Sequence, residues 1–342
     1  MKKPHQFIDG RTGRVITEPL YGDPIVSWIY STVRERAPVL FNALIGSRMS
    51  GLLGFINYQS RLGARLTGNL RFMEKWGIDL DECVDPPETL DTPRKIFERK
   101  IRYWDTRPLP AECDVVVSPA DSRVVFGSLG ETSGMWLKDK FFDDEELLGR
   151  DKTIWLNIFR NGDFAIFRLT PDKYHYNHSP VSGNVADFYA IDGGFHSCNP
   201  GAVVTVATPF SKNKRMVTII DTDVPGGTGV GRVAMVEVVA LMIGDILQCY
   251  SSFRYDDPRL MEPGLFMQRG QPKSLFRPGS STVVLFFEKN RIGFCPHLLR
   301  NMHHPTAQSR YSLSFGKPLV ETNVHLRSPI ARRLHNGEEP KR

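Results

Sequence analysis

The chain has 342 residues, 41% of them hydrophobic and 24% charged, with a formal net charge of +6 and a pI near 9.0. This length and balance allow one large domain or two small ones and exclude disorder of the whole chain. The excess of positive charge suits an anionic partner, either a phospholipid surface or a nucleic acid, although many proteins carry as much charge without one.

The N-terminus, MKKPHQFIDGRTGRV, lacks the apolar run of a secretory signal. Residues 20–80 read as helical. Ile25, Trp28, Ile29 and Val33 recur at helical spacing behind Pro24, and Pro38 ends the pattern. A second apolar segment, residues 40–58, carries Arg48 and is followed by Arg61 and Arg65. It suits an amphipathic helix lying among lipid headgroups, and equally a pair of ordinary core-facing helices. No stretch reaches the ~18–20 apolar residues that cross a bilayer. The nearest, residues 39–56, is interrupted by Asn42, Ser47, Arg48, Ser50 and three glycines.

Residues 81–112, rich in Pro, Asp and Arg, predict a linker with one short helix over 93–102. From Asp114 short β-branched runs follow one another, among them DVVV, RVVF, TIWLNIF, FAIFRL, MVTIID and STVVLFF, separated by Gly, Pro and Asp clusters. They predict many short strands. The fold class is therefore α+β, a β-rich domain over 113–296 behind a helical segment over 1–80. Residues 297–342 are polar and basic with little periodicity, and predict an irregular tail. The five cysteines, Cys83, Cys113, Cys198, Cys249 and Cys295, form no CxxC pair. They read as reduced thiols on the cytoplasmic side, not as a disulfide framework or zinc cluster.

Three segments carry chemistry: Ser118-Pro119-Ala120-Asp121 after DVVV, Tyr174-His175-Tyr176-Asn177-His178-Ser179-Pro180 after FAIFRLTPDK, and Gly279-Ser280-Ser281-Thr282 before VVLFFE. Each alone has an ordinary reading. A turn accounts for the first and third, and two histidines without a third ligand make no zinc site. Together they offer an aspartate, a histidine and a serine, the parts of an activated nucleophile. The absence of G-x-S-x-G, and a serine that precedes a strand instead of opening a helix, disfavour an ordinary hydrolase.

These segments, in this order, resemble the phosphatidylserine decarboxylases. The family pattern S-P-A-D-G stands here as Ser118 to Ser122. Y-H-x-x-H-x-P stands as Tyr174 to Pro180, with Gly183 beyond it, and G-G-S-T-V-V-L-x-F-E stands as Gly279 to Glu288. The resemblance runs colinearly over roughly residues 20–290. It departs at Ser122, Val239 and Ser280, where the family tends to have glycine.

The resemblance implies a decarboxylase that converts phosphatidylserine to phosphatidylethanolamine with a pyruvoyl group made from its own serine. No pyridoxal phosphate and no metal are implied. Ser281 is the implied nucleophile, attacking the Ser280 carbonyl. The chain is cut between 280 and 281, and Ser281 becomes the pyruvoyl. The other register, cutting between Gly279 and Ser280 with Ser280 as nucleophile, stays open as the alternative; Ser281 is preferred because the strand that follows fixes which side chain faces the site. His178 is the implied base, Asp121 its orienting carboxylate, and His175 a group on the substrate or its proton path. The implied setting is a peripheral protein on the cytoplasmic face of an anionic membrane, its two cleaved chains held together, with no nucleic acid partner. A homodimer is compatible with this. Two other functions remain open at this point, a processing-dead lipid-binding relative and a decarboxylase of a soluble amino acid.

Overall fold

The computed structural model describes residues 4–20, 28–33, 36, 78–90, 92–130, 140–205, 208–240, 245–278 and 281–335. Most of the segment expected to be helical over 20–80 lies outside these residues, as do Gly279 and Ser280. Sixteen strands are described. They are β1 (Gln6–Asp9), β2 (Val15–Thr17), β3 (Val115–Val117), β4 (Ser122–Ser128), β5 (Asp163–Leu169), β6 (Tyr176–His178), β7 (Gly183–Ile191) and β8 (Arg215–Asp221), then β9 (Arg232–Val238), β10 (Ile246–Gln248), β11 (Phe266–Met267), β12 (Pro272–Phe276), β13 (Ser281–Phe287), β14 (Ile292–Phe294), β15 (Glu321–Val324) and β16 (Pro329–Arg333).

Ten of them form one sheet in the order β11-β7-β8-β9-β13-β5-β4-β15-β1-β2. Every pairing in it is antiparallel except that of β1 with β15. Two three-stranded sheets, β10-β12-β6 and β14-β16-β3, complete the architecture. The central strands β9, β13 and β5 are Val- and Phe-rich and almost wholly buried, as strands covered on both faces must be.

One face of this sheet is not apolar. Arg123 and Arg168 stand opposite each other on β4 and β5, and Thr282 of β13 is the next register partner. Arg168 donates to Glu321 at 2.9 and 2.6 Å and to Glu18 at 3.1 and 2.7 Å. His5 adds a contact of 2.8 Å to Glu321, and Arg123 pairs with Glu18. His5, Glu18 and Glu321 have metal-ligand atoms within 4.8 Å of one another, but the two guanidinium groups already neutralise these carboxylates. Burial favours the neutral acids, yet the Arg168 charge outweighs it and holds Glu18 down to about 2 and Glu321 still lower. The cluster ties the N-terminal hairpin and β15 onto the middle of the sheet.

Two expectations are corrected. The run Thr153–Phe159, read as a strand, is an α-helix. A seven-residue apolar run has no period that separates a strand from a helix turn packed on a core. The stretch read as an irregular tail forms helices Pro296–Met302 and Arg310–Phe315 and the strands β15 and β16. In the linker, the helix expected over 93–102 is Pro93–Phe97, capped by Thr92, and a second short helix spans Tyr103–Thr106. No described helix is long and apolar enough to cross a membrane.

Candidate active site

Strand β3 ends at Val117, and the chain turns through Ser118–Asp121 before β4. The turn is pinned from two sides. The Ser118 hydroxyl donates to the Ala120 carbonyl at 2.8 Å. The backbone of β6 reaches it through the His178 N–H, which donates to the Pro119 carbonyl at 2.8 Å. The turn thus delivers Asp121, buried, beside the strand that carries the histidines.

Arg107 holds Asp121 with two bonds, Nε to Oδ1 at 3.1 Å and Nη2 to Oδ2 at 2.8 Å, the bidentate geometry of a strong ion pair. Oδ1 also accepts the Leu326 N–H at 2.7 Å, and His325 Nδ1 lies 3.7 Å from it. Burial would raise this carboxyl, but its hydrogen bonds and charge interaction with Arg107 win and hold it well below the usual carboxylate range. Asp121 makes no hydrogen bond or ion pair with His178, although its charge favours the protonated form of that ring.

His178 is fully buried on β6. Its Nδ1 bonds the Gly270 carbonyl at 2.8 Å, and its Nε2 bonds the Tyr174 hydroxyl at 3.0 Å. A carbonyl only accepts, so Nδ1 carries the hydrogen and Nε2 is the accepting, basic nitrogen. Tyr174 gives its one hydrogen to Nε2, so it accepts from the Tyr255 hydroxyl at 2.7 Å, and the Ile101 carbonyl is the other acceptor within reach of Tyr255, at 2.9 Å. Burial, aided by the Arg327 charge, lowers the His178 pKa to about 3, so the imidazole is neutral near pH 7.

His175 is also buried, its ring stacked on Phe97 with centroids 3.5 Å apart. Neither ring nitrogen makes a well-formed hydrogen bond among the described residues. Burial and the Arg99 charge push its pKa well below the ordinary value.

Ser281 is the first residue of β13 and pairs with Leu169 on β5. Its side chain is fully buried, and its Oγ has no hydrogen-bond partner among the described residues. An unpartnered buried hydroxyl costs about 1–3 kcal/mol, a cost that no described residue offsets. It is therefore a fitting place for a prosthetic group built from the residue itself. Side chains alternate along a strand, so Ser281 and Val283 face one side of the sheet while Thr282, with Arg168 and Arg123, faces the other.

The structure thus joins the aspartate turn to the histidine strand through the backbone, and leaves the Ser281 hydroxyl unbonded. It also brings in residues that the motifs do not name. Arg107 and Arg327 carried no local signal as site residues. Tyr255 is 77 positions from the nearest motif histidine and meets it only through the fold.

Comparison with known proteins points to one family. The model of a family described as phosphatidylserine decarboxylase matches residues 94–315. The phosphatidylserine decarboxylase proenzyme 2 of Oryza sativa subsp. japonica is 36% identical over 237 residues, which are 68% of this chain and 35% of the rice protein. The chain thus spans about a third of that relative. The proenzyme of Chlamydia trachomatis (serovar L2) is 31% identical over 290 residues, 84% of this chain and 88% of its own. That of Clostridium tetani is 26% identical over 301 residues, 86% and 91% of the two chains. With the aspartate turn bonded to the histidine strand and the family's match running across all three motifs, the chain belongs to the phosphatidylserine decarboxylase family.

Proposed function

We propose that this chain converts phosphatidylserine to phosphatidylethanolamine, using a pyruvoyl group that it makes from Ser281 by cutting itself between residues 280 and 281. The observation that carries this reading is the Ser281 hydroxyl, buried and unbonded at the head of a central strand.

A neutral serine hydroxyl is a poor nucleophile and needs a base. His178 is neutral and presents Nε2 as acceptor. The Tyr174 hydroxyl is its present donor, so the serine proton reaches Nε2 either by displacing Tyr174 or through it. The negative charge of Asp121 favours the imidazolium that results. With the Ser281 oxygen on the carbonyl of residue 280, the amide becomes an ester. β-Elimination then parts residues 1–280, ending in a carboxylate, from 281–342, and water displaces the nitrogen of the resulting dehydroalanine as ammonia to leave the pyruvoyl group.

A pyruvoyl carbonyl, once formed, supplies the electron sink that carbanion chemistry requires, in place of pyridoxal phosphate or a metal. The chain's own residues do the rest. His175, uncharged and stacked on Phe97, is suited to orient the headgroup, since a ring this reluctant to take a proton is a weak acid-base partner. The two chains stay together through β13. The basic balance and the Arg-bearing segment over 24–66, most of it outside the described residues, support docking at an anionic membrane surface from the cytoplasmic face, at about 1 kcal/mol for each Lys or Arg near it.

Intact-mass measurement of purified protein tests the reading. The expected products are a long chain ending at Ser280 and a pyruvoyl-blocked short chain starting at 281. Ser281→Ala is expected to stay uncut and Ser280→Ala to be cut. A catalytically active wild-type chain that is uncut would overturn the proposal, and cleavage between 279 and 280 would move the nucleophile to Ser280.

A further inference from the structure

A second buried polar group lies on the Ser281 side of the sheet. Lys273 and Glu237 form an ion pair of 2.6 Å, both side chains wholly buried. Lys273 also donates to Gln248 at 2.8 Å, and Gln248 donates to Glu237 at 3.2 Å. Glu237 accepts from Asn177 at 3.2 Å and from the Ser274 hydroxyl. Asn177, Ser274 and Gln248 are register partners across β6, β12 and β10, so they form one row facing Glu237 on β9. Lys273 joins them because β12 carries a bulge there, which leaves it outside the pairing.

Stability does not explain this group. Each buried ion costs several kcal/mol to desolvate, and apolar residues of similar volume often serve a core as well or better. Yet the pair sits where neighbouring strands are Val, Met and Phe. Asn177, which stands between His175 and His178, keeps a buried Oδ1 with no partner. Glu237 is the register partner of Val283 on β13, and Ser281 is two residues along on the same face. Diagonal neighbours of this kind are about 7–8 Å apart, within reach of an amino-acid headgroup held at Ser281.

The reaction needs two proton transfers there. The substrate nitrogen arrives as an ammonium and has no lone pair until it loses a proton. After CO2 leaves, Cα holds an electron pair that must take one. We propose that Glu237 and Lys273 are the proton-transfer pair for these two steps, a role that rests on the decarboxylase reading above. The ammonium gives its proton to the Glu237 carboxylate. Once CO2 has left, Lys273 Nζ gives a proton to Cα and regains one from the Glu237 carboxyl across their contact. The proton lost by nitrogen thus balances the one gained by carbon, both side chains regain their charges, and the released amine is reprotonated by water.

The test uses full-length wild type, Glu237→Gln, Lys273→Met and the double variant, assayed on vesicles of phosphatidylserine and phosphatidylcholine, with intact mass measured in parallel. Replacing both members of a buried pair leaves no lone charge, so the double variant guards against misfolding. All four proteins are expected to cut themselves fully. In the variants kcat is expected to fall on the order of 10²–10³-fold with KM little changed. Lys273→Met should also accumulate short chain with an alanyl in place of a pyruvoyl end. There the proton goes to the chain's own keto carbon, the nitrogen stays with the chain, and the substrate departs as an aldehyde. Cut variants with wild-type kcat would overturn the proposal. So would a double variant that loses cleavage and its thermal transition together, which would place the pair in the fold alone. A wild type that is itself uncut or inert on these vesicles would bring down the decarboxylase reading, and the pair's role with it.

Discussion

His178 and Arg327 donate to the same oxygen, the Gly270 carbonyl, at 2.8 and 2.9 Å. The shared acceptor fixes the histidine tautomer and leaves Nε2 as the basic nitrogen. Arg327 also lies over the Tyr103 ring, 4.3 Å from its centroid, and that ring meets His178 edge-on. On the proposed cut between 280 and 281, Arg327 would fall in the short chain and His178 in the long one, so both products would build the proposed base.

Arg327→Met is therefore expected to slow self-cleavage about tenfold or more, since a hydrogen bond from a charged donor contributes about 1.5–3 kcal/mol and part of that holds His178 in place. Arg327→Lys should recover part of the rate. The fraction cut against time on a denaturing gel measures both. Wild-type rates in Arg327→Met would detach this arginine from the base.

Asp121→Asn is expected to lower the unfolding free energy by about 3–5 kcal/mol, because it leaves a buried guanidinium short of its partner. Arg107 retains its ion pair with Glu82 at 2.8 Å and a hydrogen bond to the Thr106 carbonyl at 3.2 Å. Adding Arg107→Met should restore part of the loss. Urea unfolding of the two variants checks it, and an additive double variant would contradict the coupling.

Self-cleavage should be nearly independent of pH between about 8 and 5. A free histidine is half protonated near 6.5, whereas His178 stays neutral until about pH 3. Stability has the opposite character. Native His178, and His325 with its pKa lowered by burial to about 4, refuse protons that their unfolded forms accept. The unfolded state then binds more protons, so stability is complete above about pH 6.5 and falls as pH drops below it. Glu18 adds a loss that begins near 4.5 and runs down to about 2. Urea midpoints measured from pH 8 to 4 test this, and a flat series would refute the buried neutral histidines.

The motifs and the alternating strand texture made the site's parts and the fold class legible in the sequence, because each motif is local and each strand run is bounded by turn residues. The helix Thr153–Phe159 was not legible, since Ile154, Trp155 and Ile158 suit a strand equally well by composition. The elements from Pro296 onward are four to seven residues long, too short for a period to show. The pairing of Glu237 with Lys273 spans 36 positions and depends on a bulge, which leaves no trace in spacing. The Asp121 turn shows a further limit. The motif placed an aspartate near the histidines, but its partner Arg107 comes from a Pro-rich stretch that composition assigned to a linker.

β13 lies between β9 and β5, matched to the first over six residues and to the second over seven. A peptide bond broken at its leading edge therefore creates a chain terminus with almost no freedom to swing away. Most new termini fray; one made by the proposed cut would be paired to β5 from its first residue and to β9 from its second. A reactive ketone born in that position needs no later folding step to find its aim, and the short fragment cannot depart without tearing the middle out of the sheet.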